Sequence, residues 1–507
     1  MGRSLALKIT ACILVFIGFC VAQLAVAAPQ ELVILFMNDP HAHYEPYEIK
    51  GLAGLSGGFA KAQTVLRQQR SLARRQGKHS IALMAGDLLM GTPFSTYFKG
   101  ELGARLLNEM RFAAMAVGNH EFDYGVTNLM ESIKGNLAMP LLSANIVNRN
   151  GGYPFQRTAV LQLPGFDSKI VLIGLTTDQT PITTLPSHVA GLKFEDPIAT
   201  ACALLKDADP NDLVIALTHL GVDQDKKLAL ACPVIDVIVG GHSHTALFQP
   251  LVENGVIICQ AGAYAEYVGK LTIAVDHGKV TRCHGELIRL TADIPDDETI
   301  SSIIKTYREK LDKSLKRVIG KTEVFLEGGR SAVRSDRPTN LGQLIAYIMM
   351  TNTGSEAALI NGGAIRASIP PGEITKEMVD TAFPFSNTVA RVDLTGDDLA
   401  HIIRQSYALP PNSGGKLQFY GIELVATPTG PAISKIGRRP FNPQAEYTVA
   451  VTDFLAQGGD GYFILRDDRK NVVNSGLLVN DLLTEFIETR KVISQDVLDG
   501  ILRAESN

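Results

Sequence analysis

The stretch Val117-Gly118-Asn119-His120-Glu121-Phe122-Asp123 places an amide, an imidazole and two carboxylates directly after an apolar stub. These side chains ligate divalent metals and move protons. Four other apolar runs stop in the same way. Residues 32–37 lead into Asn38-Asp39-Pro40-His41, and residues 81–85 into Gly86-Asp87. Residues 213–217 lead into Thr218-His219, and residues 235–239 into Gly240-Gly241-His242-Ser243-His244. A lone His-x-His is weak evidence of a metal site, but ligand types at five successive run ends are strong evidence. Two divalent cations held roughly 3.5–4 Å apart need one shared ligand and several private ones. Asp87 is the candidate bridge, since a carboxylate has two oxygens. Asp39, His41 and one later histidine can complete one ion. Asn119, His219 and another later histidine can complete the second. His242 and His244 point the same way on an extended segment but can reach different ions from a tight Gly-Gly turn. Such a nitrogen and oxygen donor set suits Zn, Mn, Fe or Co.

The elements that must position these residues are an alternation of strands and helices from about residue 31 to 291. Helices are predicted over 58–75, 101–110 and 197–205. Strands are predicted over 160–163 and 170–175, with Pro164-Gly165 starting the turn between them, and over 256–259 and 271–275. Ligands at the ends of buried strands converge on one sheet edge, which points to an α/β (α+β) fold. Between about 296 and 318, Ile300, Ile303, Ile304, Tyr307, Leu311 and Leu315 recur at helical spacing. Asp296 or Asp297 can cap this helix and Gly320 can end it. It reads as a link to a second, smaller α/β unit. There a helix is predicted over 341–350 and a strand over 357–360, which leads into Asn361-Gly362-Gly363-Ala364-Ile365-Arg366. Thr375 should cap a helix that stops at Pro384-Phe385. A strand over 447–451 precedes Asp453 to Tyr462, and a final helix is expected over 481–489. The expected organisation is a signal at 1–28, a metal-binding unit at 29–295, a linking helix at 296–320 and a substrate-binding unit at 321–507.

With 507 residues, each unit can bury its own core. A net charge of −4 gives no footprint for a nucleic acid polymer. Arg3 and Lys8, an apolar run over 9–27 and small residues at 25–28 predict a secretory signal. Export to the periplasm or cell exterior without a stable membrane anchor is therefore expected. Of six cysteines, Cys12 and Cys20 would leave with the signal. Cys202, Cys232, Cys259 and Cys283 permit two disulfides in three connectivities. Cys202–Cys232 with Cys259–Cys283 is the expected pairing, and four free thiols are the alternative. The basic residues between 51 and 80 read as a solvated helix face.

The series Asp39-x-His41, Gly86-Asp87, Gly118-Asn119-His120-Glu121, Thr218-His219 and Gly241-His242-Ser243-His244 resembles the calcineurin-like metallophosphoesterase signature. Together with Asn361–Arg366 and Gly458-Gly459-Asp460-Gly461-Tyr462, it resembles the 5′-nucleotidase and UDP-sugar hydrolase family over nearly all of the mature chain. The resemblance implies a four-layer metallophosphoesterase β-sandwich flanked by helices. It places Asp39, His41, Asp87 and His244 on one ion, and Asp87, Asn119, His219 and His242 on the other. Some exported bacterial members carry glutamine where this chain has His244. His120 and Asp123 match the family's catalytic pair. Phe385 and Phe454 match the rings that stack on the base, and Asp460 matches the residue that binds ribose hydroxyls. Asn361 can read a base or ribose edge. Arg330, Arg334, Arg337 and Arg366 are candidate phosphate clamps. The implied enzyme is an exported phosphohydrolase that cleaves nucleoside 5′-phosphates by in-line attack of a metal-bound hydroxide. A 2′,3′-cyclic nucleotide phosphodiesterase/3′-nucleotidase or a UDP-sugar diphosphatase on the same scaffold is the alternative, and a non-catalytic nucleotide-binding surface protein is a second. The resemblance also implies a C-terminal domain that swings on a hinge near 313–321, although Lys313, Lys316, Arg317 and Lys321 read equally as a solvated face.

Overall fold

Six apolar residues in a row, Leu32 to Met37, need a strand that is buried on both faces. In the computed structural model they lie in β1 (Gln30–Met37), with Leu32, Ile34 and Phe36 in one core and Val33, Leu35 and Met37 in another. The structure describes residues 29–49, 51–428, 430–466 and 471–503. The expected signal at 1–28 lies outside them, as does the side chain of Lys313 in the expected hinge. Among the described residues no helix is long and apolar enough to cross a membrane.

β1 pairs in parallel with β2 (His79–Met84), which pairs in parallel with β3 (Ala114–Ala116). Tyr267–Asp276 and Lys279–Arg289 extend this sheet antiparallel on its other side to complete six strands with Leu141–Leu142. A second six-stranded sheet is centred on β4 (Leu213–His219) and β5 (Val237–Val239), again parallel. Leu213, Ile215 and Leu217 face the first sheet, and Val214 and Ala216 face outward. Helices cover both outer faces, Phe59–Arg75 among them on the first and Pro197–Leu205 and Val222–Ala231 on the second. The order is helix, sheet, sheet, helix: the expected four-layer sandwich.

The helix Glu298–Leu315 is capped by Asp297, whose side chain accepts from Ile300 N. It ends at Leu315, and Gly320 lies instead in the strand Val318–Thr322. Its apolar face, Ile300, Ile304, Tyr307, Leu311 and Leu315, belongs to the core of the first sandwich. The helix is therefore part of that body and carries the chain along its surface. The C-terminal unit is built on a five-stranded sheet containing β6 (Ala357–Asn361) and β7 (Glu446–Thr452), with Ala358 and Ile360 in one core and Ala357 and Leu359 in the other. Thr375 caps Lys376–Ala382 as expected. The helix Val479–Arg490 is not the last, because Gln495–Arg503 follows it.

Cys202 and Cys232 form a disulfide between the two helical segments on the second sheet. The expected Cys259–Cys283 bond is absent. Cys259 is buried between the sheets, whereas Cys283 is exposed on the edge strand of the first sheet.

Candidate active site

Every candidate metal ligand sits at or just past the carboxyl end of a parallel strand, where side chains from both sheets meet. Asp39 and His41 follow β1, Asp87 follows β2, and Asn119 and His120 follow β3. His219 ends β4, and His242 and His244 follow β5. The loops are tight. Asp39, His41, Asp87, His242 and His244 all hold left-handed φ angles, from 47° to 78°. Non-glycine residues rarely adopt that region unless the surroundings force them to. Gly118 answers the same crowding, since a Cβ there would lie 2.3 Å from Asp87 Oδ1.

Asp39, His41 and His244 form one cluster of converging donors, and Asp87, His219 and His242 form another. His120 also comes within reach of His41 and Asp87. His41 Nδ1 lies 2.9 Å from Leu89 O and His219 Nδ1 lies 2.7 Å from Ala85 O. Both Nδ1 atoms therefore donate to carbonyls, which leaves each Nε2 aimed at the carboxylates. His41 Nε2 lies 3.0 Å from His244 Nε2. His219 Nε2 is 3.1 Å from Asp87 Oδ2 yet makes no hydrogen bond. Imidazole nitrogens and carboxylates that converge this closely in a buried site fit a cation between them. The carboxylates are also aimed. Asn38 Nδ2 and the His242 amide donate to Asp39, and the His120 amide donates to Asp87 Oδ1 at 3.0 Å.

Burial holds His41 and His244 well below the usual imidazole range and takes His242 down to about 3, so all three are neutral, the form that binds metal. Burial acts the same way on His219, but the charges of Asp87 and Asp39 override it and raise it to about 10. Burial likewise pushes Asp39 up to about 7. Asp87 escapes that rise because His219 and His120 hold it well below the carboxylate range.

His120 Nδ1 donates to Asp123 Oδ2 at 2.5 Å, and Asp123 Oδ1 accepts from Thr184 Oγ1 at 2.6 Å. Asp123 is thus held on both oxygens and does not cap the helix that follows it. His120 Nε2 faces Arg366 Nη2 at 3.2 Å. Burial opposes protonation of His120, but Asp123 and Asp87 outweigh it and raise its proton affinity. A phosphoryl oxygen entering between His120 and Arg366 would accept from both.

Across a cavity of about 540 Å³ stand Arg330, Arg334, Asn361, Arg366, Phe385, Phe454 and Asp460. Arg366 lies over the Phe385 ring, 5.2 Å from its centroid. Burial lowers Arg334 to about 9, helped by the like charges of Arg330 and Arg366, and an anion would relieve that repulsion. Asn361 Nδ2 donates to Asp460 Oδ2 at 2.8 Å. Gly459 lets the Phe454 ring fold back, since a Cβ there would lie 2.5 Å from Phe454 Cζ. Arg337 is not part of this wall. It is exposed, and its backbone bonds locally to Ser335.

Three further residues build the site, and two of them, Thr184 and Tyr264, carry no signal in the sequence. Glu121, fully buried, accepts from the amides of Asp87, Leu88 and Gly118 at 2.6–2.9 Å. Thr184 holds Asp123. Tyr264 packs its ring against both His41 and His244. Glu121 stands directly after His120 in the sequence, whereas Thr184 and Tyr264 lie in no motif.

Residues 32–246 match the calcineurin-like phosphoesterase family, and residues 318–467 match the 5′-nucleotidase C-terminal domain. The 5′-nucleotidase of Homo sapiens is 31% identical, covering 92% of this chain and 90% of its own. Protein UshA of Escherichia coli is 29% identical over 92% of this chain and 93% of its own. The crystal structure of the 5′-nucleotidase precursor from Thermus thermophilus superposes with a TM-score of 0.80 at 30% identity, covering 91% of this chain and 97% of that one.

Proposed function

Because this chain belongs to the 5′-nucleotidase family of calcineurin-like phosphoesterases, and is thereby a hydrolase of nucleotide phosphate esters, we propose that it releases inorganic phosphate from nucleoside 5′-monophosphates. The observation that carries this reading is the placement of His120. Its Nε2 and Arg366 face one point, beside the carboxylate and imidazole clusters and in a cavity that Phe385, Phe454 and Asp460 also line. The family uses a dinuclear metal centre, and we assign Asp39, His41, Asp87 and His244 to one ion and Asp87, Asn119, His219 and His242 to the other. Zn, Mn, Co and Fe all suit these donors. Such a pair supplies an activated water and positive charge for the phosphate oxygens.

The chain's own residues do the rest. Arg366, with Arg330 and Arg334 behind it, draws in the phosphate and orients it. Phe385 and Phe454 offer flat apolar faces to the base, which tolerate any nucleobase. Asp460 accepts from ribose hydroxyls. His120, oriented by Asp123 and Thr184, donates through Nε2 to the phosphoryl group or the departing 5′-oxygen. The residue pattern at 1–28 supports export, which places the activity outside the cytoplasm.

The test is a panel of AMP, UMP, ATP, UDP-glucose, 2′,3′-cyclic AMP and a non-nucleotide ester, assayed with Mn or Zn added to metal-stripped protein. Cleavage of AMP and UMP well above the non-nucleotide ester is expected. Equal rates on all esters would mean that Phe385 and Phe454 do not select nucleosides. A preference for UDP-glucose or the cyclic nucleotide would move the assignment to that ester class.

A further inference from the structure

Two cavities meet at the candidate metal centre, and a nucleotide accounts for only one of them. The second, of about 440 Å³, lies between the loop after β1, the turn that starts the helix Pro93–Phe98, and the helix Lys376–Ala382. The two share Met90 and Arg366 in their walls. Asp87, Asn119, His242 and His244 line the first cavity and His41 lines the second. His41 Nε2 is 3.0 Å from His244 Nε2, so the two cavities come together at the candidate ligands.

This layout bears on how the products leave. Hydrolysis leaves the nucleoside between the aromatic rings of the first cavity and the phosphate beneath it, beside the metal ligands. Nucleoside and phosphate then share the first cavity, whose wall residues Met90 and Arg366 also line the second. The second cavity reaches the same centre at His41, Met90 and Arg366, and neither Phe385 nor Phe454 lines it.

Its walls suit an oxyanion. Arg366 supplies guanidinium donors, and Tyr264 lines the same wall. Glu45 and Glu377 also line it and would repel a dianion if bare, but Arg308 bonds to both of them. Two arginines thus stand against two glutamates, and the passage carries no net negative charge. Its volume is many times the roughly 30 Å³ that a water occupies in the liquid, enough for a phosphate with part of its hydration.

We propose that this second cavity binds inorganic phosphate after hydrolysis and is its exit, so that phosphate leaves while the nucleoside is still bound. The proposal rests on the phosphohydrolase reading above. Thr381 lines the cavity from the helix Lys376–Ala382, and Thr381→Trp would fill it; Ala367→Phe narrows the same passage from a neighbouring segment and serves if the first variant does not fold. The holoenzyme, in excess over AMP, is mixed with it so that a single turnover is read. Total phosphate is read after acid quench, and free phosphate by a fluorescent phosphate-binding protein. In the wild type, free phosphate should follow its formation. In the filled variant, formation should stay within twofold, free phosphate should lag at least fivefold, and adenosine release should be unchanged. Free phosphate appearing without added lag in a folded, metal-loaded variant would overturn the proposal, as would a slowing of formation equal to that of release. If acid quench finds no phosphate formed by the wild type, the phosphohydrolase reading itself fails, a different outcome from either of these.

Discussion

His120 illustrates how much of this site rests on single contacts. Its Nδ1 is committed to Asp123, so only Nε2 can reach a substrate, and that atom already faces Arg366. A general acid of this kind contributes about 10²–10⁴ in rate. His120→Asn should therefore keep its metal, by elemental analysis, and lose activity on AMP by about that factor; full activity would remove His120 from the reaction. The proposed ribose contact of Asp460 would set a pH limit on substrate binding. Burial pushes its carboxyl up to about 6, against about 3.9 for an unfolded aspartate. Below about pH 6 it carries a proton and loses an acceptor for the ribose, so KM for AMP should rise as pH falls through 6. In Asp460→Asn, KM should be at least tenfold higher at pH 7 and flat across that window. Linkage has its own sign here. The folded form holds this proton more tightly than the unfolded chain between about pH 4 and 6, so the unliganded protein loses stability as pH rises through that range. A KM profile unchanged by the substitution would separate Asp460 from the ribose.

At the scale of elements, the loops after β2 and β3 are one construction. Glu121 gathers the amides of Asp87, Leu88 and Gly118, and the His120 amide returns a bond to Asp87. Glu121→Gln leaves one amide without its acceptor and turns a donor toward donors. An unmet buried donor costs about 1–3 kcal/mol, so urea unfolding should show a loss of at least that order, together with weaker metal retention. A variant as stable as the wild type would show that the loops hold without Glu121. The strands beneath these loops were legible in the sequence because an apolar run buried on both faces ends abruptly where polar ligands begin. The left-handed turns were not, because Asp39 and His244 adopt them only under the constraint of chain 200 residues away. Gly320 misled for a related reason. A glycine after a helical repeat resembles a helix stop, but the apolar face had already ended at Leu315 and the chain had turned into a strand. Arg337 sits in a motif-like stretch, yet it lies beyond the short helix Arg330–Val333 and turns to solvent. Cysteine order suggested Cys259–Cys283, but only sheet assignment separates a buried thiol between the layers from one on an outer edge.

For the whole molecule, the candidate metal centre joins parts that share little else at that edge. Asp39, His41, Asp87 and Asn119 hang from the first sheet and His219, His242 and His244 from the second. The carboxylates and imidazoles are packed at 3.1–3.9 Å with no bulk water to screen them. Without cations, burial and mutual repulsion weaken the sandwich where its two sheets meet; with cations, those same groups tie the sheets together. Metal binding to the folded form alone adds stability by mass action, about 2.7 kcal/mol when the free ion is at a hundred times its dissociation constant. Chelation should therefore lower the unfolding midpoint and abolish phosphate release, and Mn or Zn added back should restore both, with about two ions bound per chain. The dependence should be steepest near neutral pH and weaken in acid, since the cation must displace the proton held on His219 and Asp39. An unchanged unfolding midpoint after removal of metal, verified by elemental analysis, would show that the two sheets hold this edge without it.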